Sequence, residues 1–416
     1  MSQDRRSSRW SVVTLLCLGV LTNHIDRGNL SVAAVPIMRD LHFSPAAAGV
    51  ARSAFFWTYL VFQIPAGYFV DTSGLKWSYG IAFLVWTLAS TGMSLAHSLF
   101  QLISLRLLGM SEAVATPASL AYVRRRFGEK EQGLPTAIFL SGMMVGPALG
   151  VWLGGLLLER AGWRALFVVT GLAGLPWLWP WWRLAPRNAR DGSDATLPSL
   201  EPRIKPNRSW GRLLFNPVTW GLGISAFFYG YFWYFCLSWL PSYLVMSQGL
   251  AYAKMGTFMA LPLLSMALSC MAFGRLADWL TARREPLRIR KLFVLAGFIL
   301  CSSMLFINFA RSSAQVLAVL LLSLTAVGLA AANYWAITET VSPPALIGKI
   351  VGYQNAVAQL GGVCTPIVTG LLVAHSRDFR LSIELAGVCP PLAAAATLAL
   401  VRQRGAEQFR LCESAY

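Results

Sequence analysis

The stretch Gly67-Tyr-Phe-Val-Asp-Thr-Ser-Gly-Leu-Lys76 follows one long apolar run, and the stretch Gly274-Arg-Leu-Ala-Asp278 follows another, much later in the chain. In both, a glycine precedes an aspartate by four positions at the end of a predicted helix, and cations follow. The second stretch comes six predicted helices after the first. We therefore predict a chain of two similar six-helix halves.

The composition is that of a membrane protein. Of the 416 residues, 56% are hydrophobic and 13% are charged, whereas soluble domains average about 45–50% and about 25%. This excess of apolar side chains argues against a soluble enzyme. The net charge of +17 would suit a nucleic-acid binder, but here Lys and Arg lie in short clusters between apolar runs, so no nucleic-acid partner is expected.

Cysteine spacing gives no sign of a metal site or a disulfide framework. The seven cysteines are scattered, and no spacing typical of zinc ligands occurs. We therefore expect no metal and no cofactor, so that any energy supply would be an ion gradient. The first apolar run is too long for the core of a signal peptide and is predicted to remain as a transmembrane helix.

Runs of about 20 mostly apolar residues can cross a bilayer. Twelve such runs nearly exhaust the chain, at 10–36, 46–70, 77–97, 99–123, 134–157, 164–185, 217–243, 254–280, 291–310, 313–340, 346–374 and 381–401. We predict an all-α membrane protein of twelve transmembrane helices in two pseudo-symmetric six-helix bundles. The predicted parts are the N-terminus (1–9), the first bundle (10–185), a linker (186–216), the second bundle (217–401) and the C-terminus (402–416).

Loop charges predict the orientation. Loops on the side of the N-terminus carry about three times as many Lys and Arg as the opposite loops, and positive loops face the cytoplasm. Both termini and the proline-rich linker are therefore predicted to be cytoplasmic. The compact loops favour a bacterial inner membrane.

Four charged residues lie deep within predicted spans: Asp26, Arg27, Arg106 and Glu112. A charge at the bilayer centre costs about 2.5–3.5 kcal/mol on insertion scales, so these four must face one another or a wet interior. One interpretation is purely structural, with two buried ion pairs joining spans 1 and 4. The other is functional, with carboxyls that exchange protons and an arginine that binds an anionic substrate.

Further motifs follow one another in a fixed order. They are Asn23–Ser31 in span 1, Ser53–Tyr59 in span 2, Arg106–Ala113 in span 4, Gly142–Gly150 in span 5, Trp239–Tyr243 in span 7 and Asn333–Trp335 with Asn355 in spans 10 and 11. Because of these motifs and the loop after span 2, the sequence resembles the major facilitator superfamily. Span 1 resembles its anion:cation symporter family, which includes bacterial proton symporters for sugar acids and aromatic acids and relatives of the vesicular glutamate and sialic acid carriers.

The resemblance implies roles for the membrane charges. Asp26 and Glu112 would form the proton-coupling pair, Arg106 would bias Asp26, and Arg27 would contact the substrate. The remaining substrate-binding candidates are aromatic or polar side chains at membrane depth: His24, Tyr59, Asn333, Tyr334, Trp335 and Asn355.

Helix ends on the cytoplasmic side are predicted to act in gating. The residues are Gly67, Asp71, Gly74, Lys76 and Asp278. Thr72 and Leu75 lie where the superfamily usually has arginines, so this loop lacks two of the charges that are usual in the superfamily motif.

The spacing in span 4 is unusual. Arg106 and Glu112 are six positions apart, whereas the family places the arginine seven positions before the glutamate. Six residues turn a regular helix by about 240°, so the two side chains cannot share a face. Either span 4 bulges or is overwound locally, or Arg106 serves another partner, and the nearby Pro117 could allow such irregularity.

His24 is a second departure, because the family typically has tyrosine there. It lies three positions before Arg27, so both can face one cavity. One interpretation is a neutral, hydrogen-bonded imidazole that replaces the tyrosine hydroxyl. The other is a second titrating group.

We therefore predict a monomeric secondary transporter that acts by alternating access. Its expected activity is proton-coupled symport of a small organic anion, which could be a sugar acid, an aromatic acid or a short-chain carboxylate. The alternatives are a proton-coupled exporter of drugs or metabolites and, more remotely, a polytopic membrane enzyme. The chain offers no nucleophile or metal set for the last of these.

Overall fold

The computed structural model describes residues 2–128, 131–186, 216–342 and 346–402, apart from the side chains of residues 2–8, Ile64, Gly67 and Asp71. The contacts divide the chain into two compact units. One comprises Met1–Glu201 with Gly249–Ala260, and the other comprises Pro202–Gln248 with Leu261–Tyr416. All regular elements among the described residues are helices. Nearly all of the predicted linker and C-terminus lies outside the described residues.

The first unit is built mainly from six α-helices. They are α1 (Ser2–Val32), α2 (Ala34–Asp40), α3 (Pro45–Gly92), α4 (Leu99–Leu108), α5 (Ala115–Arg126) and α6 (Gly133–Leu184). Two of them are helix pairs that join across a kink. In α3 the kink is at Gly74 (φ 75°), and in α6 it is at Gly162 (φ 80°). A positive φ favours glycine, so each kink falls where the sequence separates two predicted spans.

The later predicted spans form helices of the second unit, except that the helix beginning at Tyr252 belongs to the first unit as far as Ala260. They are α7 (Pro217–Ser238), α8 (Leu240–Met246), α9 (Tyr252–Thr281), α10 (Pro286–Cys301), α11 (Ser313–Val341), α12 (Ile347–Ser376) and α13 (Arg380–Leu400). A 3₁₀ segment, Ser302–Phe309, extends α10. Side-chain caps begin several of them: Asn216 accepts from the Val218 amide, and Ser312 accepts from the Gln315 amide.

Length and composition show that the helices suit a membrane. Among the described residues, eight helical stretches are long and apolar enough to cross one, and the 52-residue stretch Gly133–Leu184 holds two of the predicted spans. The predicted spans 10–36, 46–70 and 217–243 are not among the eight. In the first of these, the polar run from Asn23 to Asn29 lowers the hydropathy.

Three glycines in α6 allow a close approach of α1. A Cβ added to Gly142 would lie 2.7 Å from the Cys17 carbonyl oxygen, and one added to Gly146 would lie 2.5 Å from the His24 Cβ. A Cβ added to Gly150 would lie 2.9 Å from a Cα in α1. The Gly142–Gly150 motif of span 5 therefore packs directly against the polar stretch of α1.

Candidate functional site

The centre of the candidate site is an ion pair between span 1 and span 4. The Arg27 Nε donates to the Glu112 Oε2 at 2.7 Å. The Glu112 side chain is 4% exposed and that of Arg27 is 25% exposed. A buried carboxylate charge is strongly destabilised when such a partner is removed, because its desolvation is then uncompensated. Arg27 therefore neutralises Glu112 while keeping part of its own surface accessible.

Asp26 lies beside this pair but contacts neutral groups. The Asn29 Nδ2 donates to the Asp26 Oδ1 at 3.0 Å, and the Ser90 hydroxyl donates to the same oxygen at 3.3 Å. The Asn29 Nδ2 also donates to the Thr170 Oγ1 at 2.8 Å. The other carboxyl oxygen of Asp26 is buried and has no hydrogen-bond partner among the described residues. The two carboxyls thus differ, one paired with a cation and the other held by uncharged donors.

Arg106 contacts the backbone of span 1. Its Nη2 donates to the Arg27 carbonyl oxygen at 3.3 Å. Its guanidinium also lies 4.8 Å from the ring centroid of Phe55. The Arg27 guanidinium lies 5.0 Å from that centroid and 4.9 Å from the centroid of Tyr59. Span 2 therefore supplies an aromatic wall that stabilises both cations through their contact with the ring faces.

Span 4 is overwound between Arg106 and Glu112. The α-helix α4 ends at Leu108, and a 3₁₀ helix runs over Gly109–Val114 before α5 begins. Three steps of about 100° and three of about 120° total about 660°, which brings the two residues within about 60° of one face. The sequence offered overwinding and another partner for Arg106 as alternatives, and the structure shows both.

His24 lies on the same helix, one turn before Arg27. Its Nδ1 is 3.0 Å from the Val20 carbonyl oxygen. A carbonyl oxygen only accepts hydrogen bonds, so Nδ1 carries the proton. In the neutral imidazole Nε2 is then an acceptor. The side chain is half-buried, so Nε2 can accept a hydrogen bond from a hydroxylated ligand.

The remaining substrate-binding candidates lie in the second unit, apart from Tyr59. Asn333 and Tyr334 are buried, and their side chains donate to the carbonyl oxygens of Leu329 (3.3 Å) and Leu222 (3.2 Å). Trp335 and Asn355 are half-buried. Asn333 and Tyr334 therefore form hydrogen bonds inside their own unit, whereas Trp335 and Asn355 keep accessible surface. Their roles in binding stay predictions.

The predicted gating residues fall at helix ends. Gly74 forms the kink in α3, and Lys76 is buried with its carbonyl accepting from the Trp181 indole at 3.0 Å. In the second unit, exposed Asp278 pairs with Arg290 at 3.0 Å and joins the end of α9 to the start of α10. Gly67 and Asp71 lie in α3, but their side chains are outside the described residues. A gating role stays a prediction for all five.

The neutral groups around Asp26 were not predicted from the sequence. Ser90 donates to Asp26, and Thr170 accepts from Asn29, which itself donates to Asp26. The two hydroxyls belong to predicted spans 3 and 6, where single hydroxyls in apolar runs give no signal of their own. Asn29 did have a signal, because it follows Asp26 by three positions and so shares its helix face.

The fold and the site together define a class: a polytopic helical membrane protein with a charged, partly accessible centre. Residues 16–400 match the Major Facilitator Superfamily. The chain belongs to this superfamily and is a membrane transporter.

Relatives in the superfamily carry names that bear on the site. The D-galactonate transporter of Escherichia coli O6:H1 is 28% identical over 388 residues, which cover 88% of this chain and 89% of the relative. The hexuronate transporter of Bacillus subtilis strain 168 is 29% identical over 406 residues, which cover 94% and 93%. Both resemblances span nearly the whole chain, so they include the candidate site.

Solved structures show the same fold. A bacterial homolog of the human lysosomal transporter Spinster, inward-facing and occupied, has a TM-score of 0.74 at 18% identity and covers 98% of this chain and 97% of its own. The inward-open xylose transporter XylE from E. coli has a TM-score of 0.74 at 15% identity and covers 97% and 99%. These similarities confirm the predicted major facilitator fold. These relatives and structures are transporters, which agrees with the prediction that the chain is not an enzyme.

Proposed function

We propose that the protein is a proton-coupled symporter of sugar acids. The observation that carries the proposal is the buried pair of Arg27 and Glu112, in which Arg27 keeps a quarter of its side chain exposed. An arginine in this setting can offer further donors to a second carboxylate. A substrate carboxylate that takes up these donors in a bidentate pair would draw Arg27 away from Glu112, so the two carboxylates compete for it.

This competition links substrate binding to a proton. When Arg27 turns to the substrate, Glu112 loses its cation while it stays in a site where it is 4% exposed. An uncompensated buried charge costs several kcal/mol, so binding a proton relieves the cost. Asp26 is the second carboxyl and already has neutral donors. The loaded transporter would then carry one anion together with protons on these carboxyls.

The relatives support a hydroxylated substrate. Their names specify galactonate and hexuronate, which are sugar acids with one carboxylate and several hydroxyls. In this chain the His24 Nε2 and the polar edge of Tyr59 can orient hydroxyls. We therefore favour a sugar acid over an aromatic or short-chain acid.

The location and orientation of the protein in the membrane form a second part of the proposal. We propose that the protein acts as a monomer in a bacterial inner membrane, with both termini in the cytoplasm. The helices and the superfamily support an integral membrane protein, and the excess of basic loops on the side of the N-terminus supports the orientation.

Transport by purified protein in liposomes tests the proposal. The liposomes enclose a pH dye, and D-galactonate, a hexuronate, an aromatic acid, a short-chain acid and an organic cation are added in turn. We expect the sugar acids to drive internal acidification. Arg27→Ala should abolish it, because the substrate carboxylate then has no partner, and Arg27→Lys should retain only a small part.

The control is Arg311→Gln, which removes an exposed arginine far along the chain from this cluster and should leave acidification unchanged. Acidification by sugar acids that is unaffected in Arg27→Ala would contradict the proposal. Alkalinisation driven by organic cations would instead support a proton-coupled exporter.

A further inference from the structure

One face of α1 meets one face of the second half of α3 along a polar seam. A Cβ added to Gly19 would lie 2.7 Å from the Tyr79 hydroxyl, and the Ser90 hydroxyl donates to Asp26 at 3.3 Å. On α1, Asn23 lies between Gly19 and Asp26 at helical spacing. On α3, Trp86 lies between Tyr79 and Ser90 in the same way.

This seam collects buried polar atoms that have no hydrogen-bond partner within the described part of the chain. These atoms are the side-chain Oδ1 and Nδ2 of Asn23, the Tyr79 hydroxyl, the Trp86 Nε1 and the second carboxyl oxygen of Asp26. None of these four side chains is more than 4% exposed. A buried polar group without a partner costs about 1–3 kcal/mol, and buried water is the usual partner for such groups in proteins.

Two neighbouring indoles do have protein partners. The Trp177 Nε1 donates to the Leu15 carbonyl at 2.8 Å, and the Trp181 Nε1 donates to the Lys76 carbonyl at 3.0 Å. Both rings pack against Tyr79. The backbone of α1 and of α3 therefore satisfies these two indoles, whereas the Trp86 Nε1 and the Tyr79 hydroxyl of the same aromatic cluster have no such partner among the described residues.

The seam has a direction. From Asp26 to Gly19 it spans seven residues of α1, about 10 Å at 1.5 Å per residue, toward the N-terminal end of the helix. That end is the proposed cytoplasmic side. The charged groups near Asp26, Arg106 and the pair of Arg27 with Glu112, belong to the site itself. The seam therefore leaves the site at Asp26, away from Arg27.

We propose that this seam holds a file of water molecules that carries protons between Asp26 and the cytoplasmic side, where α1 begins and α3 kinks at Gly74. The polar atoms of Asn23, Trp86 and Tyr79 would anchor these waters. The substrate would bind at Arg27, so proton and anion would leave by separate routes. The inference rests on the proposed proton-coupled symport and adds the path by which the proton leaves.

Two assays on the same liposomes test the path with D-galactonate as the probe. Gradient-driven uptake requires net proton release on the far side, whereas exchange of labelled for unlabelled D-galactonate requires none. Asn23→Val and Trp86→Phe remove water anchors. We expect driven uptake and proton influx to fall about tenfold in each variant, since positioned groups speed proton transfer by such factors or more. Exchange should stay near the wild-type rate.

The matched controls are Trp177→Phe, which removes an indole that already has a protein partner, and Asn23→Ser, which keeps a small polar anchor. Both should retain the wild-type ratio of driven uptake to exchange. Equal losses in both assays, or the same ratio in Trp86→Phe and Trp177→Phe, would overturn the path and make the seam structural. Wild-type protein that moves D-galactonate without protons would overturn the proposed function and the path together. Wild-type coupling that survives in Asn23→Val and Trp86→Phe would overturn the path alone.

Discussion

Arg27 and Glu112 lie 85 positions apart in the chain, yet the Nε of one is 2.7 Å from the Oε2 of the other. This contact ties span 1 to span 4. It also leaves Asp26, the immediate neighbour of Arg27, to uncharged donors. The sequence suggested two equivalent ion pairs as its structural interpretation. The structure shows one pair and one carboxyl bound to neutral donors, and this asymmetry suits a site in which a substrate anion replaces one carboxylate.

Removing Arg27 should destabilise the protein through Glu112. Arg27→Ala leaves a buried carboxylate without its cation, which we expect to cost about 3–5 kcal/mol. The double variant Arg27→Ala/Glu112→Gln should recover most of this loss, because no buried charge then lacks a partner. Thermal unfolding in detergent measures both. Losses that add in the double variant would show that the two residues act independently.

His24 should discriminate between hydroxylated and plain carboxylates. His24→Ala removes the Nε2 acceptor, and one lost hydrogen bond of about 0.5–1.5 kcal/mol corresponds to about a three- to tenfold weaker affinity. We expect this loss for D-galactonate and none for propionate, as measured by competition with labelled substrate. His97→Ala, at an exposed position, is the control. An equal loss for both acids would mean that His24 supports the fold and not the hydroxyl contact.

The approach of α6 to α1 should be sensitive to a single methyl group. In Gly146→Ala the new Cβ would lie 2.5 Å from the His24 Cβ, and such overpacking typically costs about 1–3 kcal/mol. Gly133→Ala places its Cβ in open space and should be neutral. The thermal midpoints of the two variants in detergent give the comparison. A neutral Gly146→Ala would contradict the close packing of the two helices.

An exposed carboxylate outside the spans should make stability depend on acid pH. Hydrogen bonds from the Arg164 guanidinium and then from the Trp163 indole lower the pKa of Asp40. The contribution of Asp40 to stability is therefore full above its ordinary pKa of about 3.9 and is lost as the pH falls through the lowered value.

Asp40→Asn should accordingly be less stable than wild type at about pH 6, and the difference should shrink as the pH falls below about 3.9. Thermal unfolding across this range measures it. Arg164→Gln should show the same loss, and the double variant no further one. A difference that does not change with pH would contradict the ion pair.

The sequence predicted the architecture well, because the patterns that indicate it extend over many residues. Apolar runs, basic loops and the repeated Gly-xxx-Asp stretch fix the class of fold. The six-residue spacing of Arg106 and Glu112 offered an irregular span 4 as one of two alternatives. The target of Arg106 could not be predicted, since it is a backbone carbonyl. The hydrogen bonds from Ser90 to Asp26 and from Asn29 to Thr170 could not be predicted either, because they depend on how packing rotates spans 3 and 6.

The exchange of partners at Arg27 is the central claim, and the protons taken up on substrate binding test it most directly. Titration calorimetry of D-galactonate binding in buffers of different ionisation enthalpy gives this number. Wild-type protein should take up about one proton per anion near neutral pH, because Glu112 is neutralised when it leaves Arg27. Glu112→Gln should bind the anion with much less proton uptake. Wild-type binding without protons, or equal uptake by Glu112→Gln, would contradict the account.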